Sequence, residues 1–498
     1  MHYLVGFAAT AATVAVLYKK RQTAFASKNG IPLPPGPPAR WFWDNAMPTV
    51  NIAHTLAEWV AEYGPMITLR QGSQIIIVIG RMDAATDIME KEGGALVDRP
   101  RSIAARELLS RGMRILLEHS GERFRRLRKA VHTHLQPKAA EAYQDMQLDN
   151  AKNVIIDILN DPKNHQEHAQ RFAASVILRV TYGKSTATSN DDPEVVRVHQ
   201  VLEHFQEAMR PGAHLVDRLP ILKYIPGYGQ RLKSYHEFEI QLFREQLARV
   251  KREMLNNEGG PSFGRTLLEH INEHQLSTDE MSYLAGNLFN AGSDTTSVGI
   301  TTMIMAAACH PEAQSRVQEE LDMVVGSDRL PNWDDSSSLP QLHAFISEAL
   351  RWRPVTPIGF AHRATQDIIW RGQCIPAGAT VFGCHWAISR DPIAFPDPEK
   401  FDPQRWLDQD GQLRKDMRFY TYGFGRRVCP GQHLANQSLY ITLALLLWSF
   451  RISQRPNTPI DTNGYTDSVI AHAYPFEADF APRVEEKRLR AMMEEVSL

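Results

Sequence analysis

One cysteine in this chain stands where its sulfur can be held ready for chemistry. The run Tyr422-Gly423-Phe424-Gly425-Arg426-Arg427-Val428-Cys429-Pro430-Gly431 puts Cys429 on a glycine-rich loop that leads straight into an apolar helical pattern. Glycines let the backbone turn sharply and approach a flat ligand closely. Amides of the loop and of the helix N-terminus can point at the sulfur and hold it as a thiolate. Arg427 adds a cation suited to a carboxylate. A lone cysteine is most often a buried, inert hydrophobe, but the density of this pattern argues against that reading. Zinc fails on ligand count, since no second Cys or His lies at metal spacing from Cys429.

Three further groups of residues stand out. Ala291-Gly292-Ser293-Asp294-Thr295-Thr296 interrupts an otherwise apolar stretch with a glycine and with polar residues that compete for backbone hydrogen bonds. Such self-weakening in a buried helix points to a ligand, the alternative being a packing glycine beside surface polars. Glu348-Ala349-Leu350-Arg351 sets opposite charges at i, i+3 on one helical face. It is followed by Pro398-Glu399-Lys400-Phe401-Asp402-Pro403-Gln404-Arg405-Trp406. Phe124-Arg125-Arg126-Leu127-Arg128 and Gly359-Phe360-Ala361-His362-Arg363 supply more cations.

Together these segments resemble the cytochrome P-450 superfamily, and they occur in that family's order over nearly the whole chain. The cysteine loop is similar to Phe-x-x-Gly-x-Arg-x-Cys-x-Gly, with Tyr422 where Phe is usual, which keeps a ring beside the thiolate and adds a hydroxyl. The resemblance implies haem b with Cys429 as the axial iron ligand. A thiolate in that place pushes electron density that favours O–O cleavage. It also implies that Gly292 leaves room for dioxygen and that Asp294 and Thr295 form an acid–alcohol pair directing protons, a form of general acid catalysis. Arg128, His362 and Arg427 become the candidates for the haem propionates, with Arg125 a weaker one. Phe124 replaces a tryptophan and so removes an indole donor. Glu348, Arg351 and Arg405 are implied to form a buried structural ion network, in which loss of one partner costs about 3–5 kcal/mol.

The elements that must position these residues are legible in outline. Ser277-Thr278-Asp279-Glu280 reads as a capping box. No proline intervenes before Cys309, and Pro311 forbids continuation. That predicts a helix of about 33 residues, about 50 Å long, able to cross the whole body. Helical periodicity also marks Glu312 to Val325 and Ala435 to Trp448. Pro65 to Leu69 with Gln74 to Ile79 predicts a hairpin, and Ile368 to Val381 a second β region. The expected fold is mainly α with small β-sheets, a single haem-thiolate domain over residues 39–498.

The chain has 498 residues and a formal net charge of -2, which offers no support for a nucleic-acid partner. Its four cysteines (Cys309, Cys374, Cys384, Cys429) are too few and scattered for a disulfide scaffold. From Tyr3 to Tyr18 no residue is charged, and Lys19-Lys20-Arg21 follows. A cleaved signal peptide would carry its positive charge before the apolar run. Residues 1–18 are therefore expected to be a single-pass anchor in the endoplasmic reticulum membrane, with the body cytosolic. Residues 19–38, basic and then proline-rich, are expected to be a stiff extended spacer.

By resemblance the reaction is RH + O2 + 2e⁻ + 2H⁺ → ROH + H2O, a monooxygenation. The stretch from Cys429 to Leu498 is short for a flavin domain. Electrons are thus expected to come from NADPH through a separate membrane-bound NADPH–haemoprotein reductase, with cytochrome b5 as a further donor. A lipophilic small molecule is the expected substrate, lined by residues from Arg101 to Glu118, Phe205 to Leu222, Phe289 to Ser293 and Val355 to Phe360. Pro220 to Pro226 is expected to touch the membrane, and the sequence style resembles fungal enzymes of secondary metabolism. The rivals are a haem-thiolate isomerase or dehydratase, which tends to lose the acid–alcohol pair, and a non-enzymatic haem sensor.

Overall fold

A computed structural model describes residues 30–38, 45, 47–71, 74–184 and 188–494. The expected anchor, residues 1–18, and the basic part of the hinge lie outside the described residues. Among the described residues no helix is long and apolar enough to cross a membrane. The chain packs as two compact units. The first is Met1–Pro100, Ile358–Asp391 and Phe424–Arg427, and the second is Arg101–Pro357, Pro392–Gly423 and Val428–Leu498. The reason lies in the cores: the sheet unit has an apolar centre of its own, built from Ile52, Leu56, Val60, Ile67, Leu69, Val78, Trp386 and Ala387.

In the first unit the predicted hairpin is present. Strand β1 (Met66–Gln71) pairs antiparallel with β2 (Gln74–Ile79), with Met66 opposite Ile79 and Gln71 opposite Gln74. The short strand β3 (His362–Arg363) and β4 (Thr380–Gly383) complete a four-stranded sheet of order β1-β2-β4-β3. Burial on both sides of β2 explains its continuous Ile/Val run. The second β region also forms, as Ile368–Trp370 against Gln373–Ile375 around Gly372, whose φ of 75° suits glycine.

The proline run departs from expectation. It is extended, as its prolines dictate, but it is strapped onto the sheet and does not stand off as a spacer. Thr68 donates its N–H to Pro35 O at 2.9 Å and its hydroxyl to Pro34 O at 2.7 Å. Cys374 N–H reaches Pro32 O at 2.8 Å, and the Asn45 side chain reaches Pro37 O at 2.8 Å. A Cβ at Gly36 would fall 2.2 Å from Thr68 O, so only glycine allows this approach. Carbonyls without competing N–H donors make prolines good acceptors for a sheet's edge groups.

The second unit is helical: α1 (Glu122–Leu135), α2 (Gln144–Asn160), α3 (His165–Tyr182), α4 (Pro193–Met209), α5 (Gln230–Leu255), α6 (Thr278–Cys309), α7 (Pro340–Trp352) and α8 (Gln432–Ser449). The predicted long helix is α6, of 32 residues, opened by the Ser277–Glu280 capping box. It lies against α3, α4, α5 and α8 and is buried on nearly every side. Glycines serve that packing. A Cβ at Gly286 would meet Phe243 Cγ at 2.2 Å, and one at Gly299 would meet Leu439 Cδ2 at 2.9 Å. A two-stranded sheet, Phe450–Gln454 with Ala478–Pro482, follows α8.

Candidate functional site

The loop before α8 holds Cys429 as the sequence suggests. Cys429 N–H donates to Tyr422 O at 2.9 Å, closing the loop on itself, and Gly423 takes a φ of 84° to allow the turn. Burial pushes the Cys429 thiol up, while the Gly431 N–H and the Arg128 guanidinium draw it back towards the thiolate. Arg128 projects from α1 and donates to Val428 O at 2.5 Å. That bond ties α1 to the cysteine loop. Arg125 is exposed and Phe124 buried on the same helix. The Tyr422 hydroxyl donates to Asn436 Oδ1 at 2.6 Å, and burial raises its pKa with Cys429 adding to the effect. None of the four cysteines is in a disulfide. Burial lifts Cys309 and Cys384 to about 11, which leaves both inert.

The middle of α6 differs from the rest of the helix. Ala291 is exposed, and Gly292, Thr295 and Thr296 are partly so, while the residues before and after are buried. An i, i+4 pair open to one side marks a face a ligand can lie on. Gly292 has a second neighbour to satisfy. A Cβ there would come 2.6 Å from Ile177 Cγ1 on α3. Helix packing alone thus excludes a side chain at Gly292, whatever else the gap there serves. Asp294 and Thr295 do not bond each other. Thr295 donates to Ala291 O at 2.9 Å. Asp294 is engaged by His472 Nε2, 2.9 Å from Oδ1 and 2.8 Å from Oδ2. Burial opposes charge on His472, yet the Asp294 carboxylate raises its pKa above the ordinary value.

The structural network is complete within the second unit. Glu348 and Arg351, both fully buried, pair at 2.8 Å through Nε and Nη2. Arg405 Nε reaches Glu348 at 3.1 Å, Trp406 Nε1 at 2.9 Å and Asp402 N–H at 2.8 Å. A second buried network lies on the expected substrate side. Arg114 pairs with Glu239 at 2.9 Å, donates to Asn290 Oδ1 at 3.1 Å and sits 4.2 Å over the Phe205 ring. Tyr283 donates to the other Glu239 oxygen. Around it, Ile103, Leu108, Leu109 and Leu117 pack with Phe205, Ala208, Val216 and Leu232. Two of the four stretches expected to line the substrate are thereby brought together, and Asn290 joins a third.

In the first unit His362 and Arg427 gather with Arg99, which the sequence reading missed. Arg99 is 5% exposed and donates to Phe360 O and Ala361 O, and Arg427 Nε donates to Val97 O at 2.6 Å. Burial, then the Arg427 charge, brings Arg99 down to about 9. Burial and Arg99 push His362 down to about 3, so its ring is neutral. With Nδ1 2.7 Å from Leu96 O and donating to it, Nε2 carries the lone pair. His362 must therefore take up a proton before it can face a carboxylate. Three basic side chains thus gather in the interior, with Asp98 beside Arg99, and such a cluster suits a carboxylate.

These observations test the fit of an iron porphyrin with carboxylate arms. Among the described residues no three His, Cys, Asp or Glu gather as a metal site, so a metal would rest on Cys429 and on ligands that the cofactor brings. Within the second unit, one sulfur ligand and the open face on α6 fit such a group, and Cys429 would hold its iron. Within the first unit, Arg99, Arg427 and protonated His362 have the chemistry to hold carboxylates.

Comparison with known proteins agrees. Residues 34–480 match the family described as Cytochrome P-450. The chain is 49% identical over 461 residues to Cytochrome P-450 monooxygenase 64 of Postia placenta, covering 93% of each chain. It is 49% identical to monooxygenase 88 of the same fungus, again over 93% of each. It is 34% identical to a cytochrome P-450 monooxygenase of Armillaria gallica, over 87% of this chain and 86% of that one. The loop of Cys429 and the match over most of the chain lead to one conclusion: the chain belongs to the cytochrome P-450 superfamily and is a haem-thiolate monooxygenase.

Proposed function

We propose that this enzyme inserts one oxygen atom of O2 into a lipophilic small molecule, in fungal secondary metabolism, with electrons from NADPH through a membrane-bound reductase and cytochrome b5 as a further donor. The observation that carries the substrate class is the cluster of Ile103, Leu108, Leu109 and Phe205 beside the Arg114 network, an apolar wall that leads to Asn290 on α6. Bound haem supplies the oxygen activation. The chain's own residues orient and protonate: Thr295 and Asp294 stand on the half-open stretch of α6, where Asp294 can deliver protons and Thr295 can order their path.

The membrane reading draws on Leu215, Leu219, Ile221, Tyr224 and Ile225, which are all exposed, Ile221 by 72% and Tyr224 by 75%. Lys223 folds back to Glu107 at 2.9 Å, leaving the apolar side chains outermost. Apolar groups on such a turn suit the headgroup boundary of the endoplasmic reticulum, with the body on the cytosolic side and residues 1–18 as anchor.

Two measurements test this reading. Cys429→Ser should abolish the thiolate-type spectrum of the reduced carbon monoxide complex, whereas Cys309→Ser keeps it. Reductase-coupled microsomes fed extracts of the producing fungus should yield an oxygenated product carrying one atom of labelled O2. Retention of the spectrum in Cys429→Ser, or a product without the label, would overturn it.

A further inference from the structure

Asp294 has a partner that the sequence gives no hint of. His472 Nε2 lies 2.8–2.9 Å from both carboxylate oxygens. Its side chain is 29% exposed while that of Asp294 is only 4% exposed, so the imidazole bridges solvent and a buried carboxylate. The segment that carries the ring is held in place. His472 N–H donates to Thr466 Oγ1 at 3.0 Å, Thr466 N–H returns a bond to His472 O at 2.8 Å, and Ala471 N–H fixes the segment to Val355 O at 3.0 Å. These bonds fix the backbone from which the imidazole projects, and the ring itself also meets the Ile470 backbone.

We propose that His472 is a positioning residue of the monooxygenation, the relay through which Asp294 is reloaded with protons from solvent. This rests on the acid role proposed for Asp294 above. In the step, the imidazolium Nε2–H bond breaks and an O–H bond forms on Asp294. The neutral imidazole then regains its proton from water, and no electrons change hands.

His199 on α4 also feels both members of the pair, and Glu203 acts on His199 in turn. His199 is the competing relay, but its Nε2 is buried without a partner and burial holds its pKa down, with Asp294 only partly offsetting that. His472 is instead raised, because the Asp294 carboxylate favours the imidazolium and outweighs its burial.

The test uses full-length holoprotein with reductase and compares wild type, His472→Gln and Asp294→Asn. Gln can keep an N–H bond to Asp294 but carries no proton. His472→Gln is expected to lower product per NADPH about tenfold, short of the 10²–10⁴ that a direct acid contributes, with hydrogen peroxide rising. Wild-type coupling should fall as pH climbs above about 6.5, and the variant's should stay flat. Independently of turnover, histidine-labelled protein in its reduced carbon monoxide complex should show one ring titrating above about 6.5. That resonance should vanish in His472→Gln and move down in Asp294→Asn. A His472→Gln enzyme that couples like wild type across pH, or a His472 ring titrating at or below the ordinary value, overturns the relay. If Asp294→Asn also couples normally, the acid role of Asp294 fails as well. If Asp294→Asn leaks and His472→Gln does not, the relay alone is refuted.

Discussion

Replacing Glu348 by Gln keeps the side chain's shape and removes one negative charge from the interior. The carboxylate accepts five hydrogen bonds, two from Arg351 and one each from Asp402 N–H, Arg405 and Trp406. A carboxamide oxygen accepts about two, and its NH2 would face the Arg351 donors. The Arg351 side chain is 0% exposed, so its charge stays in the interior without its carboxylate partner, beside backbone carbonyls such as Pro398 O. Loss of one partner in such a pair costs about 3–5 kcal/mol. With an unfolding entropy of roughly 2.1 cal/mol/K per residue over roughly 450 folded residues, that lowers Tm by about 3–5 °C. Asp416→Asn is the matched control. Its bond to Arg414 is as short, 2.7 Å, but the two side chains are 71% and 39% exposed. An exposed pair contributes about 0–1 kcal/mol, so its Tm should move by about 1 °C or less. Thermal scans of the three proteins at one pH decide the matter. Equal shifts in Glu348→Gln and Asp416→Asn would show that burial is not what gives the network its weight.

Two other perturbations follow from the packing and from a buried imidazole. Gly292→Ala should cost about 1–3 kcal/mol through its clash with Ile177, and Ile177→Ala about 2–5 kcal/mol. The double variant should cost clearly less than the two together, and strict additivity in denaturant melts would refute the contact. His165 is fully buried beside Phe476, and burial takes its pKa to about 4. The folded state therefore binds fewer protons than the unfolded one between about pH 6.5 and 4, so this contribution is present above 6.5 and is lost as pH falls. The loss is on the order of 3 kcal/mol, and His165→Gln should flatten the acid side of the stability profile measured from pH 7.5 to 4.5.

What could be read from the sequence was local. Ser277 and Glu280 announce the start of α6, and Pro311 announces its end, because caps and missing donors act within one turn. The cysteine loop shows itself through glycines at fixed offsets, and Glu348 through two motifs in order. What escaped depends on distant neighbours. His472 meets Asp294 from 178 residues away, and nothing in Ala471-His472-Ala473 signals it. Arg99 reads as one more surface arginine until burial places it beside Arg427 and His362. Gly292 was legible as a glycine, but Ile177, the side chain that demands it, was not. The proline run was read correctly as extended and wrongly as a spacer, since periodicity is silent on which carbonyls a sheet edge will use.

That last point changes the geometry of any tether. The segment 31–38 was to have served as leash, and eight extended residues would reach roughly 26–29 Å. Bonded to Thr68 and Cys374, those residues contribute nothing to reach. A pull applied at Gly30 therefore reaches the β1–β2 hairpin through the two Thr68 bonds, with no slack left in the segment between.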